Sequence, residues 1–507
     1  MDTHCDYNLV DVDEFDALSI ELRLQSSKTL VSPIDQAKHL QSEKYPAKTH
    51  ALKVKDELNV TSGLIYLDGQ VEKQWEDTDG DMPFRQRRYA FYLSGANFPG
   101  TKVTYDIAKD SLILWVPVRQ PSKVLWYGTV PSIKECVEKF DVDSVQNIVD
   151  LEAYLEEILD PQKDPPTVHV LHMNERPPPL SWERPDEGLT LRLDDISLKR
   201  AMAFARAVKT PYEIAKIRRA NEISSEAHRE VLRHIKTLKN EAQVESIFLS
   251  KCRELGAKEQ AYPPIAGSGP NAAVLHYSAN DQDFGSRQLM VLDAGAEFDC
   301  YASDVTRTFP LNGKFSKEAK KVYQIVLAMQ DSCINMIRPG TSWNEVQLNA
   351  IDVARKGLLN IGILQSGHSG QMPSNDAVRP FFPHGLGHLV GLDTHDVILD
   401  AIITFGGKRH SWDPVAVEGS NSGARRLSEG MVITCEPGIY FNRAYIDDYF
   451  SQKPDLEQYV NRAMLEVYYP VAGCRLEDCI LVVENGWENL TTAPKGDEMI
   501  KTINEEA

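Results

Sequence analysis

Short apolar runs separated by Asp, Gly and Pro characterise the chain from about residue 60 onward. Such runs cover 64–67, 89–93 and 112–116, and their length and flanking residues predict strands. The stretch 144–158 has a spacing of apolar positions that predicts a helix. The interleaving of the two kinds of element indicates an α/β domain over residues 46–190.

A proline-rich segment at 174–185 interrupts this pattern. Its prolines remove backbone N–H donors and fix φ, so it cannot continue a helix or a central strand, and a domain boundary is expected near 175–205. Beyond it, Thr210, Pro211 and Glu213 have the spacing of a capping box with proline at the first helical position, which predicts a long helix. A second domain is therefore expected over residues 205–500.

The interior of this second domain contains further helix signals. The stretch 316–337 is typical of a helix and is followed by an Arg-Pro-Gly sequence that ends it, and the spacing within 342–345 predicts a capping box for the next helix. Residues 1–45, by contrast, are polar and acidic with little periodicity. We interpret them as an N-terminal extension to which no function is assigned.

Composition and charge narrow the class of protein. With 507 residues the chain is longer than a single hydrophobic core usually grows, which agrees with two or more domains. Its net charge of −19 would repel a phosphate backbone or an anionic membrane surface, so no nucleic-acid or membrane partner is expected. The acidic N-terminus lacks the parts of a signal peptide, and the eight cysteines include no CxxC pair, so we expect a cytoplasmic protein with reduced thiols.

Two aspartates are the first candidates for chemistry. Asp293 ends an apolar run at 289–292, and Asp304 follows it after a turn-prone segment at 294–297. If the flanking segments pair as antiparallel strands, both carboxylates converge on one face. Either aspartate alone is most simply a cap or turn residue, so a metal interpretation depends on the other candidates in the chain.

Three histidines, His384, His388 and His395, lie in one short segment whose glycines permit close backbone approach. Farther along, Glu436 and Glu477 lie beside apolar strand material, where an unpaired carboxylate is costly to bury. Four carboxylates and one imidazole without a thiolate form a hard, oxygen-rich donor set, which favours manganese over structural zinc.

The number of acids also indicates how many cations are held. Two divalent cations carry four positive charges, which match the four carboxylates. A pair of cations roughly 3.5–4 Å apart can bridge a water, lower its pKa and stabilise the oxyanion that forms during hydrolysis. The constellation therefore predicts a hydrolase with two manganese ions.

The motifs around these residues resemble one known family. HGLGH, THD, EPGIY and RLED follow the two aspartates in the order found in the pita-bread metallopeptidases of the M24B family, aminopeptidase P and prolidase. Segments 83–86, 92–95 and 97–100 are similar to the creatinase-type domain of the same proteins. The resemblance implies an α/β (α+β) chain in which a creatinase-like N-terminal domain precedes a pita-bread catalytic domain.

The resemblance also implies which residue holds which metal. Asp293 and Glu477 would bridge both metal ions, Asp304 would complete one ion, and His388 with Glu436 would complete the other. The implied substrates are Xaa-Pro peptides, cut at the bond before proline, and the implied assembly is a homodimer.

The resemblance also implies roles for side chains that do not bind metal. His276 would stabilise the tetrahedral intermediate, and His395 would hydrogen-bond the substrate and assist proton movement. In the substrate-binding site, His384 would line the pocket and Arg475 would orient Glu477.

Prolidase is the main alternative to an Xaa-Pro aminopeptidase, since it uses a basic residue to hold the free carboxylate of an Xaa-Pro dipeptide. Counting back from Glu436 places Ser422 where prolidases carry an arginine, although Arg425 and Arg426 are close, and 443–461 looks more like eukaryotic prolidase. We therefore expect an Xaa-Pro aminopeptidase, with Xaa-Pro dipeptidase as the alternative. A complete ligand set disfavours a non-catalytic binding module and the creatine-hydrolysing relatives, and the N-terminal domain disfavours a methionine aminopeptidase.

Overall fold

The computed structural model describes residues 44–118, 120–397 and 426–505, and the fold is given for these ranges alone. Their helices are α1 (Ala47–Leu58), α2 (Arg88–Tyr92), α3 (Pro121–Tyr127), α4 (Ile133–Lys139), α5 (Leu151–Ile158), α6 (Ser197–Ala207), α7 (Pro211–His234), α8 (Glu241–Glu254), α9 (Lys317–Ile334), α10 (Trp343–Asn360), α11 (Asn375–Val378), α12 (Arg443–Gln452), α13 (Arg462–Tyr468) and α14 (Gly496–Asn504).

The strands of the same ranges fall into one larger sheet and several small ones. They are β1 (Leu64–Asp68), β2 (Lys102–Asp106), β3 (Ser111–Val116), β4 (Ser144–Asn147), β5 (Val168–His169), β6 (Leu193–Asp194), β7 (Glu259–Gln260), β8 (Ile265–Ser268), β9 (Leu289–Asp293), β10 (Ala296–Phe298), β11 (Tyr301–Ala302), β12 (Thr306–Pro310), β13 (Val432–Cys435), β14 (Gly438–Tyr440), β15 (Gly473–Arg475), β16 (Asp478–Val483) and β17 (Gly486–Asn489).

The N-terminal part is built on a six-stranded sheet with the order β4-β3-β2-β1-β5-β6. The β1–β2 and β2–β3 pairs are antiparallel, whereas β4, β5 and β6 join in parallel. The strand predicted at 89–93 is wrong, because α2 occupies this stretch and buries Ala90, Phe91 and Tyr92 together, and so short an apolar run does not distinguish a strand from a buried helix. The helix predicted at 144–158 forms only from Leu151, after strand β4.

Helix caps in the second part follow the sequence signals with one exception. Thr210 and Glu213 form the predicted capping box at the start of α7, with Pro211 as its first residue. Ser316 caps α9 by accepting a hydrogen bond from the Ala319 N–H. Helix α10 begins after Ser342 as expected, but the Ser342 side chain makes no cap hydrogen bond, so the predicted capping box is wrong there.

Small antiparallel sheets form the centre of the second part. One has the order β12-β9-β8 and another β13-β16-β17, and β14 pairs with β15. Two isolated bridges act across long sequence separations: Thr306↔Glu477 connects β12 to the residue between β15 and β16, and Leu389↔Ile433 connects the segment that contains His388 to β13. Strand ends from distant parts of the chain therefore meet in one place.

The hydrophobic interior has two large clusters. One lies within the second part and packs α7 to α10 against the small sheets. The other runs from the N-terminal sheet, through residues such as Leu67 and Leu114, into the second part, where it includes Tyr301, Val432 and Leu481. The two parts thus share a continuous apolar core.

Two further observations concern the cysteines and the length of the helices. Every cysteine in the described ranges is buried and free. No helix of the described ranges has the length and apolar character needed to cross a membrane.

Candidate metal centre

Asp293 and Asp304 are brought together by the antiparallel pair β9–β12, in which Asp293 lies opposite Thr306. This is the convergence expected from the sequence. The two segments stay close beyond the ends of these strands, because a Cβ on Gly295 would lie 2.0 Å from the carbonyl oxygen of Ser303. A glycine is therefore required to let the two aspartate-bearing segments approach.

His388 and Glu436 come from neighbouring segments that also pair closely. The backbone N–H of Thr434, in β13, donates to the carbonyl of His388 at 2.8 Å, and Glu436 follows the end of that strand. A Cβ on Gly387 would lie 2.1 Å from the carbonyl oxygen of Thr434. The glycine in HGLGH thus allows the contact that places the imidazole beside the carboxylate.

Glu477 lies between β15 and β16 and reaches the aspartates through its bridge to Thr306. The Thr306 hydroxyl donates to Glu477 Oε2 at 2.6 Å. One threonine of β12 therefore fixes Glu477 while its backbone pairs with Asp293.

The predicted metal ligands form one cluster. Asp304, His388 and Glu477 each offer a ligand atom, and these atoms all lie within 4.8 Å of one another. His388 Nε2 lies 3.3 Å from Asp304 Oδ2 and 3.4 Å from Glu436 Oε1. Its Nδ1 lies 3.2 Å from the carbonyl of Leu389, an acceptor that favours a proton on Nδ1 and a lone pair on Nε2. This donor set fits divalent cations, because several acceptor atoms face each other around one point.

The electrostatics of the cluster lead to the same conclusion. Burial and the charges of Asp293 and Glu436 raise the pKa of Asp304 well above its usual range. Burial and the charge of Glu477 raise the pKa of Glu436 to about 8. Burial and the neighbouring aspartates likewise raise the pKa of Glu477. Carboxylates this close resist ionising together unless positive charge lies between them.

A hydrogen-bonded chain runs from the cluster to His384. Arg475 donates to Asp293 Oδ2 at 2.7 Å and to the Tyr440 hydroxyl at 2.9 Å, and that hydroxyl lies 2.8 Å from His384 Nε2. Burial and the charge of Arg475 lower the pKa of His384 to about 3. Arg475 was expected to orient Glu477, but its ion pair is with Asp293, and it reaches Glu477 through Thr306 Oγ1 at 3.2 Å.

Two tyrosines of this site were not predicted as site residues. Tyr440 is the last residue of EPGIY and connects Arg475 to His384. The Tyr262 hydroxyl lies 2.6 Å from Asp293 Oδ1 and 2.5 Å from Asp304 Oδ1. Burial and the two aspartates raise the pKa of Tyr262, so it stays protonated. Each tyrosine lies in or next to a segment that contains a candidate residue, but no spacing in the sequence indicates that its hydroxyl contacts a carboxylate or Arg475.

His276 and His395, the two histidines expected to act on the substrate, are both exposed. The ring of His395 is centred 4.1 Å from the ring of His388. The charge of His388, together with burial, lowers the pKa of His395 to about 4. His276 is close enough for its charge to lower the pKa of both His384 and His395.

The segment that carries His395 is held by buried ion pairs. Asp396 Oδ1 lies 2.6 Å from Arg206 Nη2, and Asp396 Oδ2 lies 2.8 Å from Lys209 Nζ. Asp393, which is partly exposed, contacts the guanidinium of Arg206 at 3.1 Å and that of Arg85, from the N-terminal part, at 3.0 Å. Charged residues before and within the second part thus fix the backbone on both sides of His395.

Comparison with known families assigns both parts of the chain. Residues 215–484 match Metallopeptidase family M24, and residues 49–169 match the Aminopeptidase P, N-terminal domain. A probable Xaa-Pro aminopeptidase from Pyricularia oryzae is 47% identical, with 98% of this chain and 97% of the relative covered. One from Colletotrichum graminicola is 43% identical over the full length of both chains, 100% of each.

Solved structures give the same result at the level of fold. An aminopeptidase P from E. coli, in its low-pH form, superposes with a TM-score of 0.71 at 27% identity and covers 91% of this chain and 99% of its own. The complex of that enzyme with the inhibitor Pro-Leu superposes equally well, with a TM-score of 0.71 at 26% identity and the same coverage. These matches confirm the predicted fold class, a creatinase-like N-terminal domain followed by a pita-bread catalytic domain. The chain belongs to metallopeptidase family M24, in its aminopeptidase P group.

Proposed function

We propose that the chain is an Xaa-Pro aminopeptidase, which hydrolyses the bond between an N-terminal residue and a penultimate proline. One observation carries the proposal: Asp304, His388 and Glu477 bring three ligand atoms within 4.8 Å of one another, beside Asp293 and Glu436. The names of the relatives and of the E. coli structures support the choice of substrate.

We further propose that two manganese ions occupy this centre. Oxygen ligands prevail, thiolates do not take part, and the four carboxylates balance the four charges of two divalent cations. By the family pattern, Asp293 and Glu477 would hold both ions, Asp304 one of them, and His388 with Glu436 the other. Bound there, such ions would lower the pKa of a water and polarise the scissile carbonyl.

The surrounding residues perform the rest of the chemistry. His276, which is exposed, would donate a hydrogen bond to the oxyanion of the tetrahedral intermediate. His395 would hydrogen-bond the substrate and carry a proton toward the leaving nitrogen. His384 would line the pocket. Arg475 would hold Asp293 and Tyr440 in position through its two hydrogen bonds.

A dedicated site for this bond has a physical rationale. The amide before proline has no N–H, and the proline ring fixes φ, so a peptidase that binds its substrate as an added strand handles it poorly. A centre that attacks the carbonyl with a positioned water does not depend on that missing donor.

Prolidase is the alternative, and the relatives do not favour it, because those compared above are named as aminopeptidases. Ser422 and Arg425, on which the distinction partly rested, lie outside the described residues. Arg426 lies at their edge, where its guanidinium donates to the carbonyl of Gly340 at 3.0 Å.

A substrate-length series tests the specificity. The purified protein, loaded with Mn²⁺, would be assayed on an Xaa-Pro dipeptide, the matching Xaa-Pro-Yaa tripeptide and a tripeptide with alanine in place of proline. We expect hydrolysis of the Xaa-Pro-Yaa tripeptide and loss of activity on the alanine analogue. Cleavage of the dipeptide alone would establish a dipeptidase instead.

Ligand variants test the centre itself. Asp304→Ala and His388→Ala should each lower turnover by at least about 100-fold and reduce the manganese retained after dialysis, because each removes a donor. His234→Ala, which alters a half-buried histidine at the end of α7, is the matched control and should keep both properties. Unchanged turnover and metal content in folded Asp304→Ala and His388→Ala proteins would refute the proposal.

We also propose a cytoplasmic homodimer. Helix α3 of the N-terminal part exposes Leu125, Trp126 and Tyr127, with 80%, 78% and 55% of their surface accessible, and an apolar surface of this kind suits an interface between copies. Leu125→Asp with Trp126→Asp should yield a monomer by light scattering, and a wild-type monomer would exclude the dimer. Free buried thiols support the compartment, which a fluorescent fusion would test.

A further inference from the structure

The segment 268–282, which carries His276, has little regular structure of its own. It leaves β8 at Ser268, passes through a 3-10 turn over Gly269–Ala273 and a second turn at His276, and continues without a strand or an α-helix. Because β8 pairs with β9, the segment starts beside the strand that ends in Asp293. Beyond β8 the segment makes no strand or α-helix hydrogen bonds of its own, so other contacts must fix its conformation.

The carboxylate of Glu241 supplies these contacts. Glu241 is the first residue of α8 and is completely buried. Both of its oxygens face the segment. Oε1 accepts from the Ser268 N–H at 2.8 Å, the Ser268 hydroxyl at 2.7 Å and Asn271 Nδ2 at 3.0 Å. Oε2 accepts from the Tyr277 hydroxyl at 2.8 Å and the Gln282 N–H at 3.1 Å.

These bonds reach both ends of the segment and its middle. Ser268 and Asn271 lie before His276, Tyr277 follows it directly, and Gln282 closes the segment. A single buried side chain therefore bonds to points on either side of the histidine. The backbone N–H of Glu241 also donates to the carbonyl of Gln282 at 3.0 Å, which fixes α8 against the same end.

The charge of Glu241 strengthens this arrangement. Burial alone would raise its pKa, but the hydrogen bonds from Ser268, Asn271 and Tyr277 lower it, so the group is ionised at neutral pH. Hydrogen bonds to a carboxylate are shorter and roughly twice as strong as neutral ones. The nearest cation, Arg287, lies 3.6 Å from Oε1, so most of the stabilisation of the buried charge comes from the donors of the segment.

We propose that Glu241 is a positioning residue that holds the segment 268–282 so that His276 faces the metal centre. The inference rests on the proposed function, because it assigns His276 to the hydrolytic reaction. The Glu241 carboxylate bonds to backbone and side-chain groups on both sides of His276, and it acts on the reaction through that histidine.

A variant that preserves shape tests this proposal. Glu241→Gln keeps the size of the side chain but replaces one acceptor oxygen with an NH₂ group, which meets the Tyr277 hydroxyl and the Gln282 N–H or the Ser268 donors. On an Xaa-Pro-Yaa tripeptide we expect kcat to fall by about 100-fold with little change in KM, the usual consequence of a catalytic group displaced by about 1 Å. An unchanged kcat would overturn the proposal.

A double-mutant cycle separates positioning from general stability. If Glu241 acts through His276, then Glu241→Gln added to His276→Ala should lower kcat by no more than about threefold beyond His276→Ala alone. If the two losses multiply in full, the proposal is wrong. Glu213→Gln is the matched control, since Glu213 is an equally buried carboxylate at the start of α7, and it should change kcat by less than about twofold.

Hydrogen exchange tests the geometry without reference to turnover. In manganese-loaded protein, Glu241→Gln should speed exchange of amides in 268–282 at least about tenfold and leave those of β9 unchanged. Equal protection of 268–282 in the variant and the wild type would refute the proposal. A wild type that fails to hydrolyse any Xaa-Pro peptide would refute the proposed function alone, because the exchange experiment would still decide whether Glu241 holds the segment.

Discussion

Asp396, next to His395, offers the sharpest test of how the site is supported. Its carboxylate is buried between Arg206 and Lys209, and it also accepts from the Leu392 N–H at 3.1 Å. Asp396→Asn removes the negative charge and retains the volume of the side chain. Two buried cations then lose their principal partner.

Two considerations set the size of the effect. Burial alone would raise the pKa of Asp396, but the charges of Arg206 and Lys209 lower it from 3.8 to about 2, which corresponds to about 2 kcal/mol of stability at neutral pH. Removal of one partner from a buried ion pair typically costs about 3 to 5 kcal/mol, because the remaining charge is left uncompensated. We expect Asp396→Asn to lower the free energy of unfolding by about 3 kcal/mol at pH 7.

Urea unfolding followed by tryptophan fluorescence measures this difference. Because the pKa is depressed in the folded state, the contribution is complete above about pH 5 and is lost as the pH falls toward 2, so the gap between wild type and variant should narrow from pH 5 to pH 3. Asp393→Asn, a partly exposed partner of the same arginine, is the control and should cost less than about 1 kcal/mol. A loss below about 1 kcal/mol for Asp396→Asn, or a gap independent of pH, would refute this account.

Three other substitutions separate catalysis, stability and metal retention. Arg475→Lys keeps the charge but cannot bond Asp293 and Tyr440 together, so kcat should fall at least about tenfold while the manganese content measured by mass spectrometry stays unchanged; loss of metal instead would contradict this. Thr210→Ala removes the cap of α7 and should lower the free energy of unfolding by about 1 kcal/mol with kcat unaffected, as checked by urea unfolding and peptide hydrolysis. Gly387→Ala places a Cβ 2.1 Å from the Thr434 carbonyl, so dialysed protein should retain less manganese than the wild type, and full retention would count against the role of that contact.

The sequence was most informative where one local signal is sufficient. The Thr210 capping box, the strand pair that joins Asp293 to Asp304 and the helix after Ser316 all depend on residues close together in the chain, and each is present in the structure. The stretch 89–93 failed because a short apolar run fits a buried helix as well as a strand, and only the tertiary environment decides between them.

In the site, too, local motifs could be identified from the sequence whereas long-range contacts could not. The family motifs supplied the ligand candidates, and the structure brings those side chains together, but the contacts between motifs were not readable from spacing. Arg475 bonds directly to Asp293 and not to Glu477. The Tyr262 hydroxyl lies between Asp293 and Asp304, which are distant from it in the sequence. In the sequence, Glu241 is only an acidic residue at the start of a helix, and nothing in the pattern indicates that it bonds to the segment that contains His276. Such contacts arise from packing across long sequence separations, and one sequence does not encode them as a pattern.

The apolar core that joins the two parts of the chain has a consequence for dissection of the enzyme. A fragment that begins near residue 205 would leave Tyr301, Val432 and Leu481 without the N-terminal side chains that now cover them. It would also lose Arg85, which contacts Asp393 beside the His395 segment. The N-terminal domain thus covers part of the hydrophobic core of the catalytic half. Activity lost on its removal would report exposure of that core rather than absence of a separate binding module.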